Sequence, residues 1–375
     1  MNLGFYLTLM MGPFNASPVP QTVIDALTEV QVSSTVGSQG GFQLKFTMGK
    51  SSPLQQMQAG GYFDPRTRVI IAVTVNGATE VLMDGVITKI DVSPSSAAGK
   101  MTLAITGLDL TVLMDFIDFT GLPYPALPDF VIVEAVLAKY AVLGVIPLAL
   151  PASIPSFKNP LDNWTTQQGT DYEFVTTLAT AKGAVFYLDP GPTPGASLAY
   201  WGPDLSKMFG GMQPALSINF DGDSNVDSLS FSYDGTLSTQ WLVTIQEPNT
   251  GIPIPIPVPN LDILKAPLGA NVPPIFKVRQ LKPVANEDPA GAILAGLAAL
   301  FNAPDVLSGS GQLDVLRYGR IFKARQLAAV RGAGPYFDGK YYVKSVTHNI
   351  KRGEYKQSFT LARGGIGSSV STVSV

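Results

Sequence analysis

The strongest constraint on the fold is a repeated order of short β-type runs near the two ends of the chain. In the first region, "VIIAVTV" leads to "MDGVITKIDV", a turn and "GKMTLAITGLD"; in the second, "RIFKARQLAAV" leads to "FDGKYYVKSVTHNI", a turn and "GEYKQSFTLARGG". Asp84-Gly85 is interpreted as the first turn of one region and Asp338-Gly339 as its counterpart. Asp-Gly is a common turn dipeptide, but the agreement in order and length favours a duplication. The sequence therefore predicts two similar antiparallel β-barrels.

The region between them has the pattern of a small α/β unit. In "GTDYEFVTTLATAKG", Thr170 and Glu173 have the spacing of a helix capping box, and Gly183 is placed to end the helix. The strand-like runs "AVFYLD" and "LAYWGP" follow. The predicted fold class is mainly β, with an α+β middle domain between two tube-type antiparallel barrels. The predicted units are residues 1–118 (first barrel), 119–225 (middle α/β domain), 226–365 (second barrel) and 366–375 (tail).

The second barrel is predicted to contain a Pro-rich and helical insertion at about residues 249–312. Alternate prolines in "GIPIPIPVPN" block both a helix and a central strand, so this run must be extended. It either binds a neighbouring subunit or bridges over a surface. The predicted insertion contacts are Ile252, Pro253, Ile254, Pro255, Ile256 and Pro257. A helix is expected at "PAGAILAGLAALF", and the tail is expected to be flexible or ordered by a partner.

Composition limits the possible functions. Only 14% of the 375 residues are charged, against about 25% in typical soluble domains, which favours an obligate assembly. With a net charge of −3 and no basic cluster, nucleic-acid recognition is not expected. The N-terminus lacks the pattern of a signal peptide. Glu134, Lys139 and Pro147 interrupt the longest apolar run, which favours a helix and a strand over a membrane-spanning segment.

His348 is the only histidine, and there is no cysteine. Any nucleophile–base pair or histidine-containing metal site would therefore need His348. Its surroundings, "KSVTHNI", predict a strand, and a lone strand histidine is more often structural than catalytic. No "GxSxG" motif is present to pair with it. We therefore predict no catalytic residue, no cofactor, no metal ligand and no enzymatic activity.

The run "DGDSNVD" resembles a calcium loop because Asp221, Asp223 and Asn225 alternate. Val226 stands where the loop needs glycine, and Ser232 where it needs the bidentate glutamate. An acidic turn is the favoured interpretation, with a weak cation site left open.

Two other functions stay open at this point. The 28 acidic residues allow many carboxylate pairs, so a cell-wall glycan hydrolase is one alternative. Trp164, Trp201 and Trp241 could line a sugar groove, which makes a carbohydrate-binding tail protein the other, although packing is the commoner use of such side chains.

Three segments together resemble the late control D proteins of contractile phage tails and the hub part of VgrG spikes. "GTDYEFVTTLATAKGAVFYLD" resembles their helix–strand signature, "FDGKYYVKSVTHNIKRGEYKQSFTLAR" the close of their second barrel, and "MTLAITGLDL" the close of the first. The signature residues carried over, in a structural role, are Thr170, Asp171, Phe174, Leu178, Gly183, Tyr187, Asp338, Gly339, Tyr341, Val343, His348, Tyr355 and Phe359.

This resemblance implies a structural baseplate hub, a homotrimer with pseudo-six-fold symmetry that adapts a hexameric tail tube to a trimeric spike and encloses a channel. VgrG proteins continue into a needle-like β-helix, whereas this chain stops at Val375, so a separate spike protein is expected. The other expected partners are the tail tube or a tube-initiator protein, baseplate wedge proteins and a tape-measure protein in the lumen. The expected location is the baseplate of a virion or injection particle assembled in the bacterial cytoplasm, without stable membrane insertion.

Overall fold

A computed structural model describes residues 4–95, 99–152, 164–205, 210–218, 224–246, 253–258, 268–280, 303 and 305–368. The N-terminal region is mostly strands with two short helices: β1 (Phe5–Gly12), β2 (Ser17–Pro18), α1 (Gln21–Ala26), β3 (Leu27–Thr35), β4 (Gly41–Gly49), α2 (Pro53–Ala59), β5 (Arg68–Val75), β6 (Ala78–Pro94) and β7 (Lys100–Asp109). The middle region contains a 3-10 turn (Leu110–Asp115), β8 (Pro123–Tyr124), α3 (Asp129–Ala138), a second 3-10 turn (Ala141–Leu143), β9 (Val145–Ala149), β10 (Thr165–Thr166), α4 (Asp171–Ala181), β11 (Val185–Pro190) and β12 (Ser197–Gly202).

The C-terminal region again consists mainly of strands. Its elements are β13 (Met212–Ser217), β14 (Ser228–Tyr233), a 3-10 turn (Gly235–Leu237), β15 (Thr239–Gln246), β16 (Pro253–Pro257), β17 (Gly269–Asn271), β18 (Lys277–Gln280), β19 (Leu307–Asp314), α5 (Val315–Tyr318), β20 (Leu327–Arg331), β21 (Gly339–Lys351), β22 (Glu354–Arg363) and β23 (Ile366–Ser368).

One large, mostly antiparallel sheet of 13 strands joins the two ends of the chain, so the protein is mainly β, as predicted. Its main path runs β14-β19-β22-β21-β3-β4-β7-β6-β5-β1-β2, and β20 and β13 branch from β21. Smaller sheets of two or three strands surround it. β13 lies within the range that the sequence assigns to the middle domain, yet it pairs with β20 of the large sheet.

The large sheet contains the same six-strand pattern twice. Strands β1, β3, β4, β5, β6 and β7 (repeat one) match β13, β14, β19, β20, β21 and β22 (repeat two) in chain order and in the order of their neighbours. The β6–β7 pairing has an irregularity after Ile87, and the β21–β22 pairing has one at the matching place, after Val343. The repeats differ at one strand, because β1 is antiparallel to β5 whereas β13 is parallel to β20. This topology supports the duplication.

The two repeats form one continuous sheet among the described strands, and neither closes into a barrel of its own. The sequence predicted two separate barrels. The difference arises at β3, which pairs with β4 on one side. On its other side it pairs with β21 of repeat two, from Glu29 opposite Lys351 to Thr35 opposite Ser345. The hydrogen-bonding groups on this side of β3 therefore join the two repeats.

The Asp-Gly correspondence was wrong for repeat one. Asp84 and Gly85 lie inside β6, where they pair with Ile70 and Val69 of β5. The turn of this hairpin is Asn76-Gly77, with φ angles of 50° and 83°, as expected for a tight hairpin turn. Asp84 is buried and forms an ion pair with Arg68. An acidic residue stands at this position because it pairs with a buried arginine, and not because the chain turns here.

The middle region is a three-stranded sheet with two helices packed on it. β12 pairs antiparallel with β11 and parallel with β9. The long apolar run forms α3 and β9, as predicted, and the capping box of Thr170 and Glu173 begins α4. Gly183 follows the helix with φ +62°. Within the described ranges, no helix is long and apolar enough to cross a bilayer.

Hydrophobic side chains form two cores. The larger lies under the sheet and includes residues from both repeats, such as Phe46, Val73, Tyr341 and Phe359. The smaller belongs to the middle region and is built around Trp201. The two repeats therefore share one hydrophobic core.

The insertion agrees with expectation at β16, whereas the tail is partly ordered within the chain. β16, which contains Pro253–Pro257, is extended as predicted and pairs antiparallel with β15. The tail is not wholly free, because β23 pairs with β17 of the insertion. The helix expected at "PAGAILAGLAALF" lies outside the described residues, as do Ile252 and the last seven residues of the chain.

Candidate functional site

His348 is a buried residue of repeat two. Only 6% of the residue is exposed, and its Nδ1 lies 2.7 Å from the Tyr355 hydroxyl and 3.2 Å from Nε2 of Gln357. The Gln357 amide also bonds the backbone N–H and carbonyl of Phe322. Burial lowers the pKa of His348 to about 3, because desolvation disfavours the charged imidazolium. The imidazole is therefore neutral at physiological pH and helps to hold the loop after α5, which supports its structural interpretation.

The other signature residues of this hairpin surround a buried arginine that the sequence did not single out. Arg363 donates hydrogen bonds to the carbonyl oxygens of Tyr336, Asp338 and Gly365, and its guanidinium lies 4.5 Å from the centre of the Tyr341 ring. Gly339 has φ +126°, and a Cβ there would lie 2.8 Å from the guanidinium. Val343 and Phe359 belong to the core. These contacts hold the C-terminal hairpin against the preceding loop.

The signature residues of the middle region also have structural contacts. Asp171, which is fully buried, accepts hydrogen bonds of 2.8 Å from Lys139 Nζ, Tyr140 OH and Gln167 Nε2. The carboxylate thereby joins the start of α4 to the end of α3. Burial, together with the hydrogen bond that Tyr140 donates to Asp171, raises the pKa of Tyr140 well above its usual value. Nearby, Phe174 is buried, Leu178 packs on the same core, and Tyr187 stacks on Tyr200 and on the Arg325 guanidinium.

A buried ion pair that sequence reasoning missed joins the large sheet to the middle region. Arg68 of β5 donates from Nε and Nη2 to the two carboxylate oxygens of Asp84, at 2.8 and 2.7 Å. Its Nη2 also donates to the carbonyl oxygens of Leu143 and Gly195. Both residues sit inside strand patterns, so local sequence gave no signal for this contact.

The alternative sites receive little support from the geometry. Asn225 bonds the backbone of Ala215 and Ser217, and Asp227 is paired with Arg317 and Lys356; Asp221 and Asp223 lie outside the described residues. In the described part of the chain, no group of three potential ligand side chains could hold a metal ion.

The tryptophans do not share a groove. Trp201 is fully buried and donates to the Val175 carbonyl, so it cannot stack on a sugar. Trp241 lies in β15 with its indole nitrogen buried, and Trp164 is exposed in the middle region. The positions of these side chains do not favour a sugar-binding function.

The sheet surface opposite the core is the first candidate functional surface. Side chains on this polar face alternate with core residues and bond across strand pairs, for example Ser345 to Thr360 at 2.6 Å and Gln31 to Asn349 at 3.3 Å. Charged residues on it occur in pairs such as Lys45–Glu29. The neutral members are Gln31, Ser33, Gln43, Thr106, Ser230, Ser232, Ser308, Ser310, Gln312, Ser345, Thr347, Asn349, Ser358 and Thr360.

Two open strand edges form the second candidate surface. Among the described strands, none pairs with the outer side of β14 or with the side of β6 opposite β7 from Thr88 to Pro94. Their counterparts in the other repeat, β3 and the second half of β21, are the strands that pair with each other. The matching irregularities and registers make Val92 equivalent to His348, and Phe231 equivalent to Val32.

Residues at these equivalent positions differ in burial, because a neighbouring strand covers one member of each pair and no described strand covers the other. Val92 is 42% exposed, whereas His348 is 6% exposed. Phe231 is half-buried, whereas Val32 is 1% exposed. Each open edge therefore leaves apolar surface uncovered at a place where the other repeat covers it.

The proline run is partly exposed. Ile254 in β16 is 43% exposed, and Pro255 and Pro257 are also exposed. Four further exposed apolar residues lie in the same insertion, at Val272, Ile275, Phe276 and Val278.

Comparison with solved structures identifies the fold. The 43 kDa tail protein of prophage MuSo2 from Shewanella oneidensis matches with a TM-score of 0.60 and 14% identity, over 96% of this chain and 98% of that chain. The E. coli c3393 protein, a type VI secretion system component with structural similarity to T4 bacteriophage tail proteins gp27 and gp5, matches at 0.52 and 14%, over 90% and 73%. A chain of the Francisella PdpA–VgrG complex matches at 0.57 and 8%, over 96% and 58%.

These matches confirm the predicted resemblance at the level of fold over nearly the whole chain. The fold is one found in phage tail proteins and in components of related injection systems. No protein-family model matches the sequence, and no curated protein does.

Proposed function

We propose that this protein is the structural hub of the baseplate in a contractile phage tail or a related injection system. Three copies form a ring of six similar repeats around a channel, so that the ring adapts a hexameric tail tube to a trimeric spike. The observation that carries the proposal is the pair of open edges on a duplicated sheet. The tail-protein fold of the structural matches supports the same role, which is structural and not catalytic.

The junction inside the chain gives a template for the contact between copies. If β14 of one copy pairs with β6 of the next as β3 pairs with β21, Phe231 lies opposite Val92 and Tyr233 opposite Ile90. The uncovered apolar side chains on both edges are then buried. Because the two edges differ, this contact is heterologous, and a heterologous contact closes into a ring when its rotation allows.

The two ends of the sheet support the change of symmetry. At one end, both repeats have a hairpin turn and a short helix: the turns follow β6 and β21, and the helices are α2 and α5. At the other end the repeats differ, because repeat one continues from β7 into the middle region and repeat two opens between β14 and β19 into the insertion. A ring of three chains would therefore present six similar units at the first end and three at the second.

In this arrangement the polar face lines the channel. Neutral hydroxyl and amide side chains would give cargo a wetted surface without strong fixed charge. The tail tube or a tube-initiator protein binds the end with six similar units, and a separate spike protein binds the other. Wedge proteins contact the outside, and a tape-measure protein lies in the lumen. The divisions 1–118 and 226–365 then correspond to two tube-forming units, the second of which also takes β13, and the rest of 119–225 corresponds to a middle domain.

Native mass spectrometry of the purified protein, with and without the spike protein, tests the assembly. Ser95 N–H bonds the Lys100 carbonyl of β7, so by strand alternation the Val92 N–H points to the open edge. Val92→Pro removes this donor while leaving the β6–β7 ladder in place, because proline is tolerated on a free edge. The matched control is Val92→Thr, which keeps the N–H group and the branched shape.

We expect a trimer for the wild-type protein and for Val92→Thr, and a folded monomer for Val92→Pro. Persistence of the trimer in Val92→Pro would show that this edge is not the interface. A wild-type protein that stays monomeric even with the spike would refute the hub function itself.

A further inference from the structure

A short exposed segment lies beside the open edge of β6. Asp115–Asp118 begins at the last residue of the 3-10 turn that packs against β6 and β7, and its four residues are all exposed. Phe116 and Ile117 expose 50% and 60% of their surface. The guanidinium of Arg66 lies 5.0 Å from the centre of the Phe116 ring, and the Arg66 N–H bonds the Ile87 carbonyl, where the open edge of β6 begins.

A second exposed segment lies beside the open edge of β14. Ile275–Arg279 belongs to the insertion, and Ile275, Phe276 and Val278 expose 60%, 65% and 61% of their surface. The N–H groups of Phe276 and Lys277 both bond the Ser238 carbonyl at 3.1 Å. Ser238 follows the end of β14 after a single 3-10 turn, so this segment is held near the end of that strand.

We infer that Ile275–Arg279 of one copy packs against Asp115–Asp118 of the next copy in the ring. The inference rests on the proposed hub and names a contact beyond the paired strands. Pairing of the two edges puts Tyr233 opposite Ile90, three residues from Ile87, which is about 10 Å along the strand. Both segments extend from the same end of the sheet, so the strand pairing brings them together.

The two segments are complementary in chemistry. Each has an apolar centre, Phe116 and Ile117 in one and Ile275 and Phe276 in the other. The first is flanked by the carboxylates of Asp115 and Asp118, and the second continues into Lys277 and Arg279. An apolar centre with opposite charges at its rim is the usual anatomy of a protein interface.

The occupant has to be a second copy, because the two segments are far apart within one chain. Six strands separate β14 from β6 in the large sheet. The seven strand spacings between them, at about 4.8 Å each, separate the two edges by roughly 34 Å along the sheet. A contact between the segments therefore reports on the boundary between copies.

Cysteine cross-linking tests this contact directly, since the natural chain has no cysteine. One tagged copy carries Ile117→Cys, a differently tagged copy carries Phe276→Cys, and the two are expressed together and treated with a short bismaleimide. Because each chain has one cysteine, a product that carries both tags joins two copies. The control replaces Phe276→Cys by Lys351→Cys, an exposed position at the end of β21 that carries the hairpin turn.

We expect the doubly tagged product with Ile117→Cys and Phe276→Cys and its loss in the control pair. Phe276→Ser should raise the dissociation constant of the trimer about tenfold, as removal of an aromatic anchor from an interface does. Trimers that form but give no doubly tagged product would overturn this contact and leave the hub intact. Absence of any trimer by native mass spectrometry would instead count against the hub function.

Discussion

Acidification from pH 7.5 to 5.0 is expected to destabilise the folded protein through its single histidine. In the folded state His348 is buried and its pKa is about 3, whereas an unfolded chain has an ordinary histidine pKa near 6.5. Below pH 6.5 the unfolded state therefore binds a proton that the folded state does not. The stabilising difference is complete above pH 6.5 and is lost progressively as the pH falls towards 3.

The size of this effect follows from the two pKa values. Each pH unit between them costs about 1.4 kcal/mol of unfolding free energy, so the loss at pH 5.0 is about 2 kcal/mol. Most carboxyl groups titrate below this window, which makes the histidine the main variable within it. The pH dependence that Asp109 contributes to stability has the opposite sign. Burial raises the pKa of its carboxyl, so its contribution to stability is lost as the pH rises.

Urea denaturation followed by circular dichroism at the two pH values measures the change. His348→Gln is the matched variant, since glutamine has similar size, can hydrogen-bond Tyr355 and does not titrate. The wild-type protein should lose about 2 kcal/mol more than the variant between pH 7.5 and 5.0. The contribution of Asp109 cancels in this comparison. Equal losses in the two proteins would show that His348 is solvated or protonated in the folded state, and the structural interpretation of the residue would fail.

Two further predictions concern stability. Asp171→Ala removes the acceptor of three side-chain donors and should lower the unfolding free energy by about 3–5 kcal/mol. The control Asp129→Asn changes a partly exposed ion pair and should cost less than about 1 kcal/mol. Denaturation followed by tryptophan fluorescence measures both variants, and equal effects would contradict the anchoring role of Asp171. Gly107→Ala would place a Cβ 2.3 Å from the Phe42 ring and should lower the unfolding free energy by about 1–3 kcal/mol. The control Gly49→Ala has open space around it and should change the midpoint of thermal unfolding little. Similar midpoints for the two variants would refute the packing argument.

Hydrophobic periodicity and helix-capping residues were sufficient to predict several of the strands and the start of one helix. The β-type runs predicted the last three strands of each repeat, β5 to β7 and β20 to β22, and Thr170 with Glu173 predicted the start of α4. The turn at Asn76-Gly77 is likewise local, because this dipeptide tolerates positive φ. These features depend on residues that are close in the chain, so the sequence contains them directly.

Contacts between distant residues could not be predicted in the same way. The pairing of β3 with β21 joins residues more than 300 positions apart, and this pairing replaced two separate barrels by one sheet. The buried pair of Arg68 and Asp84 also depends on the register between two strands, so Asp84 resembled a turn residue in the sequence. The open edges were invisible for the same reason, since an edge is defined by the absence of a neighbour.

The duplication provides an internal control for the assembly surface. A partly exposed apolar residue on a strand is ordinary in a single protein and carries no argument by itself. In this chain, however, Val92 has a counterpart in His348, and Phe231 has one in Val32, at equivalent places in the two repeats. The counterparts are covered because β3 and β21 cover each other. The exposure of Val92 and Phe231 therefore marks two places where the pairing of β3 with β21 has no counterpart among the described strands, and this internal comparison is what supports the proposed contact between copies.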